Sequence, residues 1–354
     1  MTTEEFIARY QRVPVEEYPN RVCDSIPQPL VSCRISTYQQ APYIKQCIEG
    51  VLMQKCDFPF EILIGDDEST DGTREICLEY AQKYPHIIRL FLHRRENINN
   101  GLTPGRFQSL YTLSKSRGKY QAICEGDDYW SDPLKLQKQL IYMESNPDCS
   151  LCVHKVAVMK ASTGKFIGYM GPDTVNKRFD VEDIIAGGGG FFQTNSMLYR
   201  SDRIVDLPDY YYNVPTGDYA AMIQLALTGC VYYISDVMSV YRNGVNGSWS
   251  KKMFSYPYKK LASHYKNINT MLEEVDKYTC FRHSEVIKEE IRENNFRYLI
   301  ALGEFKLASK GEFVHLYRAY MSSLSFKYKV IHISRYYLPA LFKILSIGKQ
   351  IRDK

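Results

Sequence analysis

The chain has 354 residues, 45% hydrophobic and 24% charged, with 21 glycines and 15 prolines, a composition that suits a large α/β domain with a smaller appendage and argues against disorder. Its net charge of +5 is uneven: from Phe313 to Lys354 eight Lys or Arg face one acid, Asp353, so that segment carries +7 and residues 1–312 carry −2. No run of about 18 apolar residues offers a membrane span, the opening MTTEEFIARY predicts no signal peptide, and the ten cysteines, among which only Cys149 and Cys152 form a C-x-x-C, predict buried thiols in a reducing cytoplasm.

In chain order, Thr2 and Glu5 predict a capping box opening a helix within residues 1–13. Prolines at 14, 19, 27 and 29 predict an extended linker. Leu30–Ile35 reads as a strand, and Ala41–Met53 as a helix with Ile44, Cys47, Ile48, Val51 and Leu52 at helical spacing. Glu61–Gly65 is a second strand, Thr73–Tyr84 a helix ended by Pro85, and Ile87–Leu92 a third strand. Thr103 and Pro104 predict the cap and first residue of a helix to about Ser116, and Lys119–Cys124 a fourth strand. This alternation predicts a mostly parallel sheet wrapped by helices. Beyond Pro147 the pattern predicts a strand over Ser150–Met159, hairpin and loop over 161–200 with four glycines at 187–190, and a helix over Gly217–Thr228. Two strands follow, Cys230–Ile234 and Val237–Tyr241, and residues past Ser250 read as helical.

Parallel α/β sheets bind ligands beyond the carboxyl ends of their strands, and the unusual polar residues fall there. Ser36-Thr37-Tyr38-Gln39 follows the first strand, Asp66 to Thr73 (DDESTDGT) the second, and Glu125 to Trp130 (EGDDYW) the fourth. Three carboxylates within four residues repel one another unless something positive sits among them. Acids also suit a first helical turn, and Asp132-Pro133 follows, but a helix start needs one acid and here there are three. The phosphate-loop pattern is absent, so a diphosphate would be held through a hard divalent ion on carboxylate oxygens.

The stretches ISTYQQAPYIKQCIEGVLMQ, FEILIGDDESTDGT and GKYQAICEGDDYW, in that order, closely resemble the family 2 glycosyltransferases of the GT-A fold. The resemblance covers about residues 30–245. It implies a GT-A (Rossmann-like), mostly parallel sheet flanked by helices, with a helical C-terminal extension. The implied divisions are an N-terminal helix and linker (1–29), a transferase domain (30–250, nucleotide half 30–130 and acceptor half 131–250) and a basic helical region (251–354). It further implies an inverting transfer from a nucleotide sugar. Ser36 and Tyr38 would line the base and ribose, and Asp67 would accept from a uracil N–H. Arg106 matches a family arginine near the nucleotide, with a solvated helix arginine as the alternative. Glu125 stands where the family's D-x-D motif begins and would reach the ribose or sugar. Asp127 and Asp128 would hold Mn²⁺ or Mg²⁺. Val240-Tyr241-Arg242-Asn243 resembles the family's YR-x-H element, so Arg242 would hold a phosphate, while Asn243 replaces the histidine.

An inverting displacement needs a base on the face opposite the leaving diphosphate. Asp218, in a stretch similar to the family's acidic segment, is the expected base, ahead of Asp202, Asp206 and Asp209. Trp130 is expected either against a sugar ring or in the core. The tail, with Tyr336, Tyr337, Ala340, Leu341, Ile344 and Leu345 at helical spacing among basic residues, is expected at an anionic membrane surface or in a helix or dimer contact. The resulting expectation is a metal-dependent transferase at the inner face of a bacterial membrane. It would move a sugar, UDP-hexose first among donors, to a glycan or lipid-linked acceptor in capsule, lipopolysaccharide or other surface-glycan synthesis, without nucleic acid. The rivals are a nucleotide-sugar-binding module without turnover and a sugar-phosphate nucleotidyltransferase. The latter would need a glycine-rich basic loop after the first strand, which ISTYQQ lacks.

Overall fold

A computed structural model describes residues 2–97, 105–205, 207–212, 214, 217–253, 258–325 and 329. Eleven strands of these residues join one sheet: β1 (Glu16–Glu17), β2 (Val31–Thr37), β3 (Phe60–Asp66), β4 (Ile88–Leu92), β5 (Tyr120–Glu125), β6 (Tyr129–Trp130), β7 (Cys149–Lys160), β8 (Lys165–Met170), β9 (Lys177–Phe179), β10 (Leu198–Arg200) and β11 (Cys230–Asn243). Their order is β1-β4-β3-β2-β5-β10-β7-β11-β6, with β8 on β7 and β9 on β11. Strands β2 to β5 run parallel, as do β7 and β11, while β1, β6, β8, β9 and β10 pair antiparallel. Strand β3 is buried along its whole length and β2 at all but Ser36, as both faces of a helix-covered parallel sheet require. The helix Ala41–Leu52 turns Ile44, Cys47, Ile48 and Val51 onto that sheet, and the helices Thr73–Lys83 and Lys135–Ser145 add Cys77, Leu136, Leu140 and Met143 to the same core.

Several expectations are corrected. Residues 14–29 are not only a linker, because Glu16 and Glu17 pair with Leu92 and Phe91 and Tyr18 N donates to Leu90 O at 2.8 Å. The 161–200 stretch contains the helix Val181–Gly187, opened by an Asp180–Asp183 capping box, as well as hairpin and loop. The two late strands are one, β11, whose register against β7 shifts between Cys230 and Val231 and between Ile234 and Ser239. Cys149 and Cys230, expected as separate thiols, are joined in a disulfide, because the parallel pairing of β7 and β11 brings together residues 81 apart in sequence.

The chain divides into two units, Met1–Lys251 and Lys252–Lys354. The first contains the sheet and also the N-terminal helix Thr3–Tyr10, whose Thr2–Glu5 capping box forms and whose buried Phe6 stacks on Tyr212 at 5.5 Å. In the second, the helices Lys259–Tyr278 and Ser284–Leu302 pack on each other and the shorter helices Phe305–Ala308 and Val314–Ser323 follow. No helix of the described residues is long and apolar enough to cross a membrane. The expected basic surface helix beyond residue 330 lies outside the described residues.

Candidate active site

Strand order reverses at β2, which has β3 and β4 on one side and β5 on the other. A crevice opens at such a switch point. Ser36 is in register with Gly65 of β3 and Glu125 of β5, so the three polar strand ends stand side by side. The loops after β2 and β3 are stitched into one wall. Gln39 N donates to Ser69 Oγ (3.0 Å), Gln40 N to Thr73 Oγ1 (2.8 Å), Ala41 N to Asp71 Oδ2 (3.1 Å), Gln39 Nε2 to Thr70 Oγ1 (3.0 Å), and the Thr70 backbone N to Gln39 Oε1 (3.2 Å). Gln39 and Glu68 adopt φ of 54° and 61°, a left-handed backbone that non-glycine residues rarely take.

Asp66 and Asp67 are adjacent but differently employed. Asp66 is paired with Arg74, whose guanidinium also reaches His93 O at 2.8 Å. Asp67 is 2% exposed, and its Oδ1 has no hydrogen-bond partner among the described residues. Burial pushes its carboxyl up to about 8, with Arg95 and Arg74 opposing the rise and Asp66 adding to it. Tyr38 is 40% exposed, and the Arg95 guanidinium covers one ring face at 4.2 Å.

The acidic turn is tight. Gly126 N donates to Ser36 O (2.9 Å) and Asp128 N to Glu125 O (2.9 Å), and a Cβ on Gly126 would collide with Gln40 and Thr37. Its three acids have different surroundings. Asp128 is buried with both oxygens engaged, Oδ2 by Asn195 Nδ2 (2.9 Å) and Oδ1 by the Arg242 N–H (2.8 Å). Glu125 has a buried Oε2 without a partner among the described residues. Burial first, then the charges of Asp127 and Asp218, lift its carboxyl to about 7 against a hydrogen bond from Thr194. Burial likewise raises Asp127, while Arg242 and Gln40 draw it back down. The charge of Asp218, at the start of the helix Gly217–Thr228, acts on Glu125.

Arg242 is held rather than open. It donates to Asp127 O at 2.5 Å and to Gln46, between the rings of Tyr43 (5.0 Å) and Tyr129 (4.6 Å). Asn243, just past it, is exposed. Arg106 is 6% exposed, which removes the solvated alternative: it donates to Tyr211 O, lies over the Tyr211 ring at 4.4 Å and crowds Gly217. Of the weaker base candidates, Asp202 is exposed beside Arg203, Asp209 opens the short helix Asp209–Tyr212, and Asp206 lies outside the described residues. Trp130 is core, 1% exposed, with Nε1 donating to Asn195 O at 3.0 Å and Lys135 Nζ 4.2 Å from its ring.

Asn195 is the residue sequence reasoning missed. Fully buried, it joins Asp128, Ser239 and the Val240 carbonyl, tying β11 to the acidic turn. Arg95 and Thr194 were missed too, because nothing in their local sequence marks a site. The donor set at the rim is all oxygen, which fits a hard cation. Its carboxylates do not close into a ready-made ligand cluster, however. Among the described residues the one close grouping of His, Cys, Asp and Glu, Asp148 with Cys149 and Cys230 at the starts of β7 and β11, is taken up by the Cys149–Cys230 disulfide.

Residues 32–164 match the family model "Glycosyl transferase family 2". An uncharacterised protein of Mycobacterium tuberculosis (strain H37Rv) is 37% identical over 213 residues, 60% of this chain and 58% of the relative, so the chain spans less than two thirds of that protein's length. S. aureus TarS residues 1–349 in complex with UDP-GlcNAc aligns with a TM-score of 0.52 at 16% identity, over 78% of this chain and 80% of that one. The mannosyltransferase PcManGT from Pyrobaculum calidifontis, in complex with GDP-Man and Mn²⁺, aligns with a TM-score of 0.50 at 15% identity, over 99% and 94%. At such identities the likeness shows the fold, and that fold is GT-A.

Proposed function

Since residues 32–164 match the family model for glycosyl transferase family 2, we propose that the chain is a metal-assisted, inverting glycosyltransferase. It takes a sugar from a nucleoside diphosphate and attaches it to the hydroxyl of a glycan or lipid-linked acceptor in surface-polysaccharide assembly, at the cytoplasmic face of the membrane. The observation that carries the reading is the pair of buried carboxylate oxygens, Asp67 Oδ1 and Glu125 Oε2, without hydrogen-bond partners among the described residues at the ends of the parallel strands β3 and β5. Unpaired buried acceptors are costly unless a ligand completes them.

In this reading Asp67 accepts the imide N–H of the base, Tyr38 offers its free ring face, and Ser36 lines the ribose. Glu125 accepts a hydroxyl of the ribose or sugar. Asp127, whose carboxylate is less committed than that of Asp128, would hold Mn²⁺ or Mg²⁺, which when bound would supply positive charge for the leaving diphosphate, with Asp128 fixing the turn. Asp218 takes the proton of the acceptor hydroxyl on the opposite face. Arg242 anchors the Asp127 backbone, and Arg106 braces the start of the Asp218 helix. Uridine is the favoured nucleoside because an acidic acceptor suits the N–H of uracil; guanine also presents such a donor, and the two neighbours hold UDP-GlcNAc and GDP-Man.

Thermal shift with UDP, GDP, CDP, ADP and dTDP, each with Mn²⁺ or with EDTA, tests this. UDP should raise the melting temperature with Mn²⁺ and much less with EDTA, because a ligand that binds only the folded state stabilises it by mass action. Mn²⁺ alone should do little, since the protein's carboxylates form no closed cluster. Stabilisation by UDP with no transfer or donor hydrolysis would favour the binding module without turnover, and no response to any nucleotide would sink the reading.

A further inference from the structure

The hairpin of β7 and β8 grows out of the site's rim. Arg242 is in register with Met159 and Asn243 with Lys160, Ala161 N donates to Asn243 O at 2.9 Å, and the Tyr129 hydroxyl reaches Met159 Sδ at 3.5 Å. Among the described residues β8 pairs with β7 alone, so its outer edge is open. Open strand edges are normally short, charged or covered. This one is apolar. A register shift beside Ile167 brings Phe166 and Tyr169 together with ring centroids 4.8 Å apart. Phe166, Ile167 and Tyr169 are 54%, 52% and 59% exposed. Scattered exposed apolar residues need no explanation, but a contiguous group marks an interaction surface.

Within the hairpin the charge has one sign. From Cys149 to Pro172 there is no Asp or Glu, while Lys155, Lys160 and Lys165 fall within that stretch. Lys155 Nζ lies 5.6 Å from the Tyr169 ring. We propose that this hairpin is a docking surface for an anionic lipid bilayer, its aromatic and aliphatic side chains entering the headgroup region while the lysines meet the negative headgroups. A sugar platform suits the hairpin less well. Saccharide hydroxyls call for carboxylates or amides beside the aromatic ring, and residues 155–170 contain no Asp, Glu, Asn or Gln. Docked this way, the rim with Arg242 and Asp127 lies next to the bilayer, where a lipid-linked acceptor would be. That consequence rests on the transfer reading, whereas vesicle binding does not.

The test sediments the full chain with vesicles of phosphatidylcholine alone or mixed with phosphatidylglycerol. Two double variants are run beside it, Lys160→Ser with Lys165→Ser, and Phe166→Ser with Tyr169→Ser. All four positions are exposed or at the turn, and unchanged melting temperatures would show the folds intact. The wild type should bind only the anionic vesicles. At low salt the lysine pair should lose roughly 30-fold in affinity, from the contribution of two basic residues near the surface, and the aromatic pair should lose binding as well. Emission of Phe166→Trp should shift to the blue with anionic vesicles only. Variants that bind as the wild type does, with no shift for Phe166→Trp, overturn the proposal and move any membrane contact to another part of the chain. Unchanged vesicle binding together with lost retention on an immobilised glycan would overturn it in favour of a sugar surface.

Discussion

Burial holds the Asp67 carboxyl at about 8, far above its value of roughly 4 in an unfolded chain. A carboxyl with a raised pKa binds its proton more tightly when folded, so its contribution to stability is fully present below about pH 4 and is lost as pH rises to about 8. Asp67→Asn removes that loss. Its melting temperature should therefore gain on the wild type progressively across this window, then run parallel above it. A difference independent of pH would mean that Asp67 is not buried as described. Asp67 stands out in sequence because a polar pair after an apolar strand is conspicuous. Asn195 does not, since a buried amide that organises a turn 67 residues away leaves no local mark.

At the scale of elements, close approach of the helix Ala41–Leu52 to β6 depends on Gly50. A Cβ there would lie 2.7 Å from the Trp130 carbonyl oxygen and 3.0 Å from its nitrogen, both backbone atoms with little freedom to move. Alanine is the better helix former by about 1 kcal/mol, yet Gly50→Ala should destabilise the protein, read as a lower denaturant midpoint. A higher midpoint would show that the helix can shift without cost. The helix itself is legible, because its apolar residues recur at 3.6-residue spacing, and so are β2, β3 and β5 as short apolar runs. The helix Val181–Gly187 is harder to see: its Asp180–Asp183 capping box is in the sequence, but seven residues beside four glycines read as loop. The continuity of β11 and the Cys149–Cys230 pairing are illegible for another reason, since both depend on the register between strands distant in sequence.

Over the whole first unit, the site is assembled from two sequence-distant parts. Strands β2, β3 and β5 give one wall, the donor wall of the proposed function, in a segment where each motif directly follows its own strand. Thr194, Asn195, Asp218 and Arg242 come from separate elements: Asn195 and Arg242 bond Asp128, and Thr194 and Asp218 act on Glu125. In the proposed function that division separates binding from chemistry. Asp218→Asn keeps the size of the side chain at the start of its helix and removes only its capacity to take a proton. Transfer should then fall by about 10²–10⁴-fold, while the stabilisation by UDP and Mn²⁺ stays as in the wild type, because the donor wall is untouched. Loss of that stabilisation together with a lower melting temperature would assign Asp218 a structural role instead. Product stereochemistry gives an independent check. A base opposite the leaving group requires one in-line displacement, so NMR of freshly formed product must show the anomeric configuration inverted from that of the donor. A retained configuration would rule out Asp218 as the base even if its replacement abolished activity.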